Sequence, residues 1–124
     1  MITVDPAEGP APTTYTQGAL VEGARRLLFV SGQVPETAGG VVPEGFAEQC
    51  RLAWRNVQAV LEGAGMGVRD LVKVTVFLSD RAYREENAKI RGEVLGDHRP
   101  ALTVIITGIY DEGWLLEIEA IAAA

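Results

Sequence analysis

Arg99 to Ala122 reads RPALTVIITGIYDEGWLLEIEAIA, and the fold turns on how this stretch pairs. Ala101–Thr107 is rich in β-branched residues, and Leu115–Ala122 is its apolar counterpart. Gly108 and Asp111-Glu112-Gly113 break the run between them, so the stretch predicts a β-hairpin. Side chains alternate between the faces of a strand. Leu116, Ile118 and Ala120 therefore share one face, and Glu117 and Glu119 stand on the other between Leu115 and Ile121. Two carboxylates in so apolar a strand ask for a role.

Working back from this stretch, Leu71–Leu78 reads as a long strand, and Ser79 or Asp80 can cap a helix over 82–95. The apolar face of that helix runs through Tyr83, Ile90 and Val94, with the amide of Asn87 set into the stripe. An earlier helix over 46–64 follows from Phe46, Cys50, Ala53, Trp54, Val57, Val60, Leu61 and Ala64, which recur at three and four. Gly63, Gly65 and Gly67 end it. They are not a dinucleotide loop, because that fingerprint follows a strand and opens a helix. Before it, residues 35–45 read as a loop with a brief strand at Val41-Val42. Residues 15–21 and 27–33 read as strands joined by a turn at Glu22-Gly23-Ala24, and Ile2–Val4 as a short edge strand.

The order is ββαβαββ in a single domain over 1–124. It predicts an α+β fold, with two helices on one face of a largely antiparallel, mixed sheet. The other face has no helix to cover it. Leu102, Val104 and Ile106 alternate with Thr103, Ile105 and Thr107, and neither side is strongly polar. A sheet apolar on both sides calls for a partner, and a second copy of the chain is the economical one.

Composition narrows the function. With 17 acidic against 11 basic residues the net charge is −6, and no basic run beyond Arg25-Arg26 offers grip on a nucleic-acid backbone. No apolar run approaches the roughly 20 residues of a membrane span. The N-terminus lacks the basic start and apolar middle of a signal peptide, so the plain expectation is a cytoplasmic protein. One cysteine excludes an intrachain disulfide, and a lone His98 with a lone Cys50 offers no metal cluster. No cofactor is implied.

Pro100-Ala101-x-Thr103, followed after about a dozen residues by Leu116-Glu117-Ile118-Glu119-Ala120-Ile121, closely resembles the C-terminal signature of the RidA (YjgF-like) superfamily, which includes imine and enamine deaminases. Thr14-Tyr15-Thr16-Gln17-Gly18, Phe29-Val30-Ser31-Gly32-Gln33 and Lys73-Val74-Thr75-Val76-Phe77-Leu78 extend the resemblance over nearly the whole chain. It implies a chorismate-mutase-like homotrimer whose sheets pack around a central axis, with small-molecule clefts between subunits. Glu117 falls where the deaminases carry the glutamate that activates water, and a carboxylate in a partly apolar cleft can act as general base. The plainer alternative for Glu117 is an interfacial ion pair. Tyr15, Gly32 and Asn87 fall on cleft positions, although Tyr15 can equally fill core, and Asn87 can tie its helix to a strand. Ser31 is no nucleophile, since no general base adjoins it in the chain.

One position departs from the pattern. The deaminases carry an arginine directly after Pro-Ala, and its forked hydrogen bonds hold the substrate carboxylate. Here Leu102 stands there, expected in the same cleft as Glu117, with Val104 beside it and Arg99 three residues earlier as a substitute cation. Two readings follow. One is an imine or enamine hydrolase with altered substrate preference. The other is a trimer that binds a small, uncharged ligand without turning it over.

Overall fold

A computed structural model describes residues 1–124. Its elements run β1 (Ile2–Val4), β2 (Gly18–Leu20), β3 (Leu27–Gln33), α1 (Phe46–Gly63), β4 (Leu71–Leu78), α2 (Arg84–Leu95), β5 (Ala101–Ile106) and β6 (Leu116–Ala123). The main sheet has the order β3-β6-β4-β5. β6 is antiparallel to both β3 and β4, whereas β5 runs parallel to β4. The α+β class, the mixed sheet and the two helices agree with the expectation from sequence.

The predicted hairpin does not form. β5 and β6 are not paired, because β4 lies between them. Two forces explain this. Leu116, Ile118 and Ala122 are completely buried, and so apolar a strand loses most water-exposed surface at the centre of a sheet. The β4–α2–β5 segment is also a crossover unit, which makes its two strands parallel neighbours. Thr107 N donates to Leu78 O, and Ser79 N donates to Leu115 O, so the residues between β5 and β6 pass across the end of β4.

Three other elements differ. The strand expected over 15–21 shrinks to Gly18–Leu20, which pairs with β1 in a separate two-stranded sheet. Asp5 causes this by accepting from Thr16 Oγ1 at 2.8 Å and Gln17 N at 2.7 Å, which turns the chain away. Thr16 alone bridges to Ala101 at the start of β5. No strand forms at Val41-Val42, where Val41 instead closes a turn on the backbone and hydroxyl of Thr37. Asp80 caps through Ala82 N at 2.8 Å as expected, but the first turn, Arg81–Tyr83, is a 3₁₀ turn ahead of α2.

Both helices pack on one face. Val74, Val76 and Leu78 of β4 register with Ala120, Ile118 and Leu116 of β6, and all are buried with Trp54, Val57 and Leu61 of α1 and Ile90 of α2. The opposite face carries Leu27 and Phe29, at 59% and 69% exposure, with Ile105, Ile121 and Phe77. The face opposite the helices is therefore uncovered as inferred, but it is mixed rather than apolar, since Lys73, Thr75, Thr103, Glu117 and Glu119 share it. No helix is long and apolar enough to cross a membrane.

Candidate functional site

The odd-numbered positions of β6 put Glu117 on the open face, registered against Phe77 of β4. On its other side β3 bulges. Val30 pairs with Ala120 and Gln33 with Ile118, so three steps on β3 match two on β6. The bulge lays Gly32 directly against the Glu117 side chain. A Cβ at Gly32 would lie 2.7 Å from Glu117 Cδ and 3.1 Å from Cγ, so only glycine leaves room for the carboxylate where it rests. Glu117 is half-buried and opens onto a depression of about 370 Å³ walled by Phe77, Thr107, Gly108, Ile109 and Tyr110. A carboxylate fixed against backbone and facing an apolar hollow can hold a water and accept its proton.

Two amides that sequence reasoning passed over, Gln49 buried and Asn56 half-buried, hold this arrangement. Gln49 of α1 donates through Nε2 to Pro43 O at 2.8 Å and Gly113 O at 3.0 Å, and accepts from Leu115 N at 2.8 Å. It fixes the entry to β6 two residues before Glu117. Asn56 donates through Nδ2 to Val34 O at 2.9 Å and Glu36 O at 3.1 Å, anchoring the chain just after Gly32. A glutamine on the inner face of a predicted helix was the available signal. Phe77, Ile109 and Tyr110 were hidden for another reason: the hairpin reading put β5, not β4, beside Glu117.

The remaining sequence-predicted residues gather elsewhere. Leu102 and Val104 register with Val74 and Val76, so they stand on the helix side of β5. Leu102 packs against the core, and Val104 is 39% exposed. Within one chain they face away from Glu117. Tyr15 lies beside the start of β5, where Thr16 N donates to Pro100 O at 3.2 Å. Asn87 is 2% exposed on α2, and its Oδ1 has no hydrogen-bond partner, so it does not tie the helix to a strand through that atom. Arg99 is exposed and borders a small cavity at the end of α2. Within one chain, Glu117 and Gly32 therefore lie together on the open face, whereas Leu102 and Val104 lie on the helix side, where α2 carries Asn87.

Two other titratable groups, Cys50 and Asp97, have structural explanations. Cys50 is completely buried in α1, and burial pushes its thiol up to about 12. Asp97 is held below the usual carboxylate range by its hydrogen bond from Arg69 at 2.6 Å.

This α+β architecture, with a mixed four-stranded sheet and two helices on one face, is that of known RidA structures. A family profile described as Endoribonuclease L-PSP matches residues 7–124, and the chain belongs to this RidA/YjgF/L-PSP family. Among similar proteins, the 2-iminobutanoate/2-iminopropanoate deaminase of Rattus norvegicus is 33% identical over 110 residues, covering 87% of this chain and 78% of the relative. The crystal structure of RidA from an Antarctic Psychrobacter superposes with a TM-score of 0.76 at 27% identity, covering 100% of both chains. Escherichia coli TdcF with bound serine gives 0.75 at 28% identity, covering 100% of this chain and 99% of TdcF.

Proposed function

We propose that the chain acts as one unit in a homotrimer, and that it hydrolyses a small imine or enamine in clefts between subunits. The placement of Glu117 carries this reading: a half-buried carboxylate seated on Gly32, beside an apolar hollow, in the Leu-Glu-Ile-Glu frame of the family. The opposite placement of the candidate residues supports the assembly. Glu117 and Gly32 of one copy would meet Leu102, Val104, Tyr15 and Asn87 of its neighbour, across the face that leaves Phe29 exposed.

In the reaction, Glu117 takes a proton from water as the oxygen attacks the imine carbon. Glu117 passes that proton to the imine nitrogen, giving the neutral carbinolamine, and then carries the hydroxyl proton to the same nitrogen as the C–N bond breaks and the C=O bond forms. The products are a carbonyl compound and ammonia, and no redox partner is required. With Leu102 where the deaminases have arginine, nothing at that position forks onto a carboxylate, and the preferred substrate is an imine without one. That same leucine favours the second reading, a trimer that holds an uncharged ligand without turnover.

Ammonia release from a neutral imine, and pyruvate release from 2-aminoacrylate generated in situ, test the proposal. The neutral imine should be the faster substrate. Glu117→Ala should lower its rate by about 10²-fold or more, the scale of general acid–base catalysis. A wild-type protein at the uncatalysed rate on both, or a Glu117→Ala protein at the full rate, would turn the assignment toward the binding reading.

A further inference from the structure

Towards its end, α2 holds a cation with no partner in the chain. Arg91 is only 7% exposed, yet it donates no hydrogen bond and joins neither ion pair of the chain. Its nitrogens keep some contact with solvent, but the cost of so largely desolvating a guanidinium is one that proteins ordinarily offset with an acceptor. Burial accordingly pulls its acidity constant below that of a free arginine, with no carboxylate to restore it.

Arg91 borders a cavity of about 90 Å³. Arg99, Thr13 and Thr14 border the same cavity, with Gly96, which ends α2 at φ +60°. Asp97 also borders it but is already engaged by Arg69, at 2.6 Å, and is not paired with Arg91. Asn87 lies one turn before Arg91 on α2, and its Oδ1 is likewise buried without a partner.

We propose that Arg91, with Arg99 and the hydroxyls of Thr13 and Thr14, binds a small oxyanion, a phosphate or carboxylate group. Two guanidiniums provide the charge and the planar donors that such groups accept. The two hydroxyls add neutral donors, and the cavity's size limits the occupant to an ion or the head group of a small ligand. Within one chain this cavity lies apart from Glu117, and anion binding there does not depend on imine hydrolysis.

Calorimetric titration of the full chain with inorganic phosphate and with acetate, at matched ionic strength, tests the assignment. The wild type should bind at least one of them. Tighter phosphate binding would point to phosphate or a phosphoryl ligand, and tighter acetate binding to a carboxylate ligand. Arg91→Met should weaken binding by roughly tenfold or more, whereas Arg91→Lys keeps the charge but loses the fork and should fall between. Arg51→Met removes an exposed arginine and should bind like the wild type. If Arg91→Met does not fold, Arg99→Met, at an exposed position, should still weaken binding. Absence of binding by the wild type to either anion would overturn the proposal, as would equal affinity in folded Arg91→Met. Loss of assembly in Arg91→Met, with no anion binding by the wild type, would assign the guanidinium to a carboxylate of a second copy.

Discussion

Gly32→Ala separates the position of Glu117 from its mere presence. The new methyl would lie 2.7 Å from Glu117 Cδ, and ordinary contact begins at 3.4 Å, so the carboxyl carbon must retreat by 0.7 Å and its nearer oxygen by more. Glu117 is half-buried and its hollow is open, so the side chain can give way without moving β6. An off-rotamer side chain costs about 0.5–1.5 kcal/mol. Replacing a strand glycine by alanine returns about 0.5–1 kcal/mol where no positive φ is needed, and Gly32 has none. The net stability change should therefore lie within about 1 kcal/mol. Activity should respond more strongly, because a misplacement on the order of 1 Å can cost about 10²-fold. The assay is ammonia release from the neutral imine beside urea denaturation, for Gly32→Ala, Glu117→Ala and the double variant. Gly32→Ala should lose about tenfold to a hundredfold in rate, and the double variant should be no slower than Glu117→Ala alone. A folded Gly32→Ala protein at the wild-type rate would refute the argument that Glu117 works from its seat on Gly32. A double variant much slower than Glu117→Ala would show that Gly32 acts by another route.

Three further outcomes follow from the packing. Ile118→Ala empties a fully buried position in the central strand and should cost about 2–5 kcal/mol in urea denaturation; less than about 1 kcal/mol would contradict the central placement of β6. Cys50 should resist thiol reagents at pH 8 in the native state and react on unfolding, since burial pushes its thiol up to about 12. Its raised value also gives a sign: stability should fall between pH 9 and about 12, where the unfolded chain loses the proton that the native state keeps, and Cys50→Ala should flatten that limb. Phe29→Glu, on the open face, should convert an assembly of about 40 kDa into a 13.3 kDa chain in light scattering; a trimer that survives the charge would place the interface elsewhere.

The helices and β4 were legible because each depends on a local period. Apolar residues at three and four marked α1 over 46–64, and it spans Phe46–Gly63; Leu71–Leu78 was read to the residue. Pairing was less legible, because it is decided by burial across the whole sheet. β5 and β6 adjoin in sequence with turn residues between them, which is why they read as a hairpin. The signal against it was present in the β4–α2–β5 order, which favours parallel neighbours. The strand over 15–21 failed for a different reason: Asp5, at least ten residues away in sequence, captures Thr16 and Gln17. In the candidate site, Glu117 and Gly32 could be named from motif alone, but their mutual contact depends on a bulge that no local pattern announces. Arg91 was invisible, since a charged residue on a helix reads as solvated until its neighbours are placed.

The alternation along β6 explains how this fold can keep its architecture while a cleft residue changes. Leu116, Ile118, Ala120 and Ala122 all point into the helix-side core and contribute most of that strand's burial. Glu117, half-buried, and Glu119, exposed, point the other way. A substitution at Glu117 therefore leaves the helix-side core intact. Leu102 is the converse case. It stands on the helix side and packs partly against the core, so an aliphatic residue there adds burial while giving up any charge the position could present. Because its face is opposite to that of Glu117, no rotamer change within one chain can bring the two together. In the proposed trimer, the two groups would meet only across copies, and the exposed Phe29 and Leu27 mark the face on which a second copy would dock.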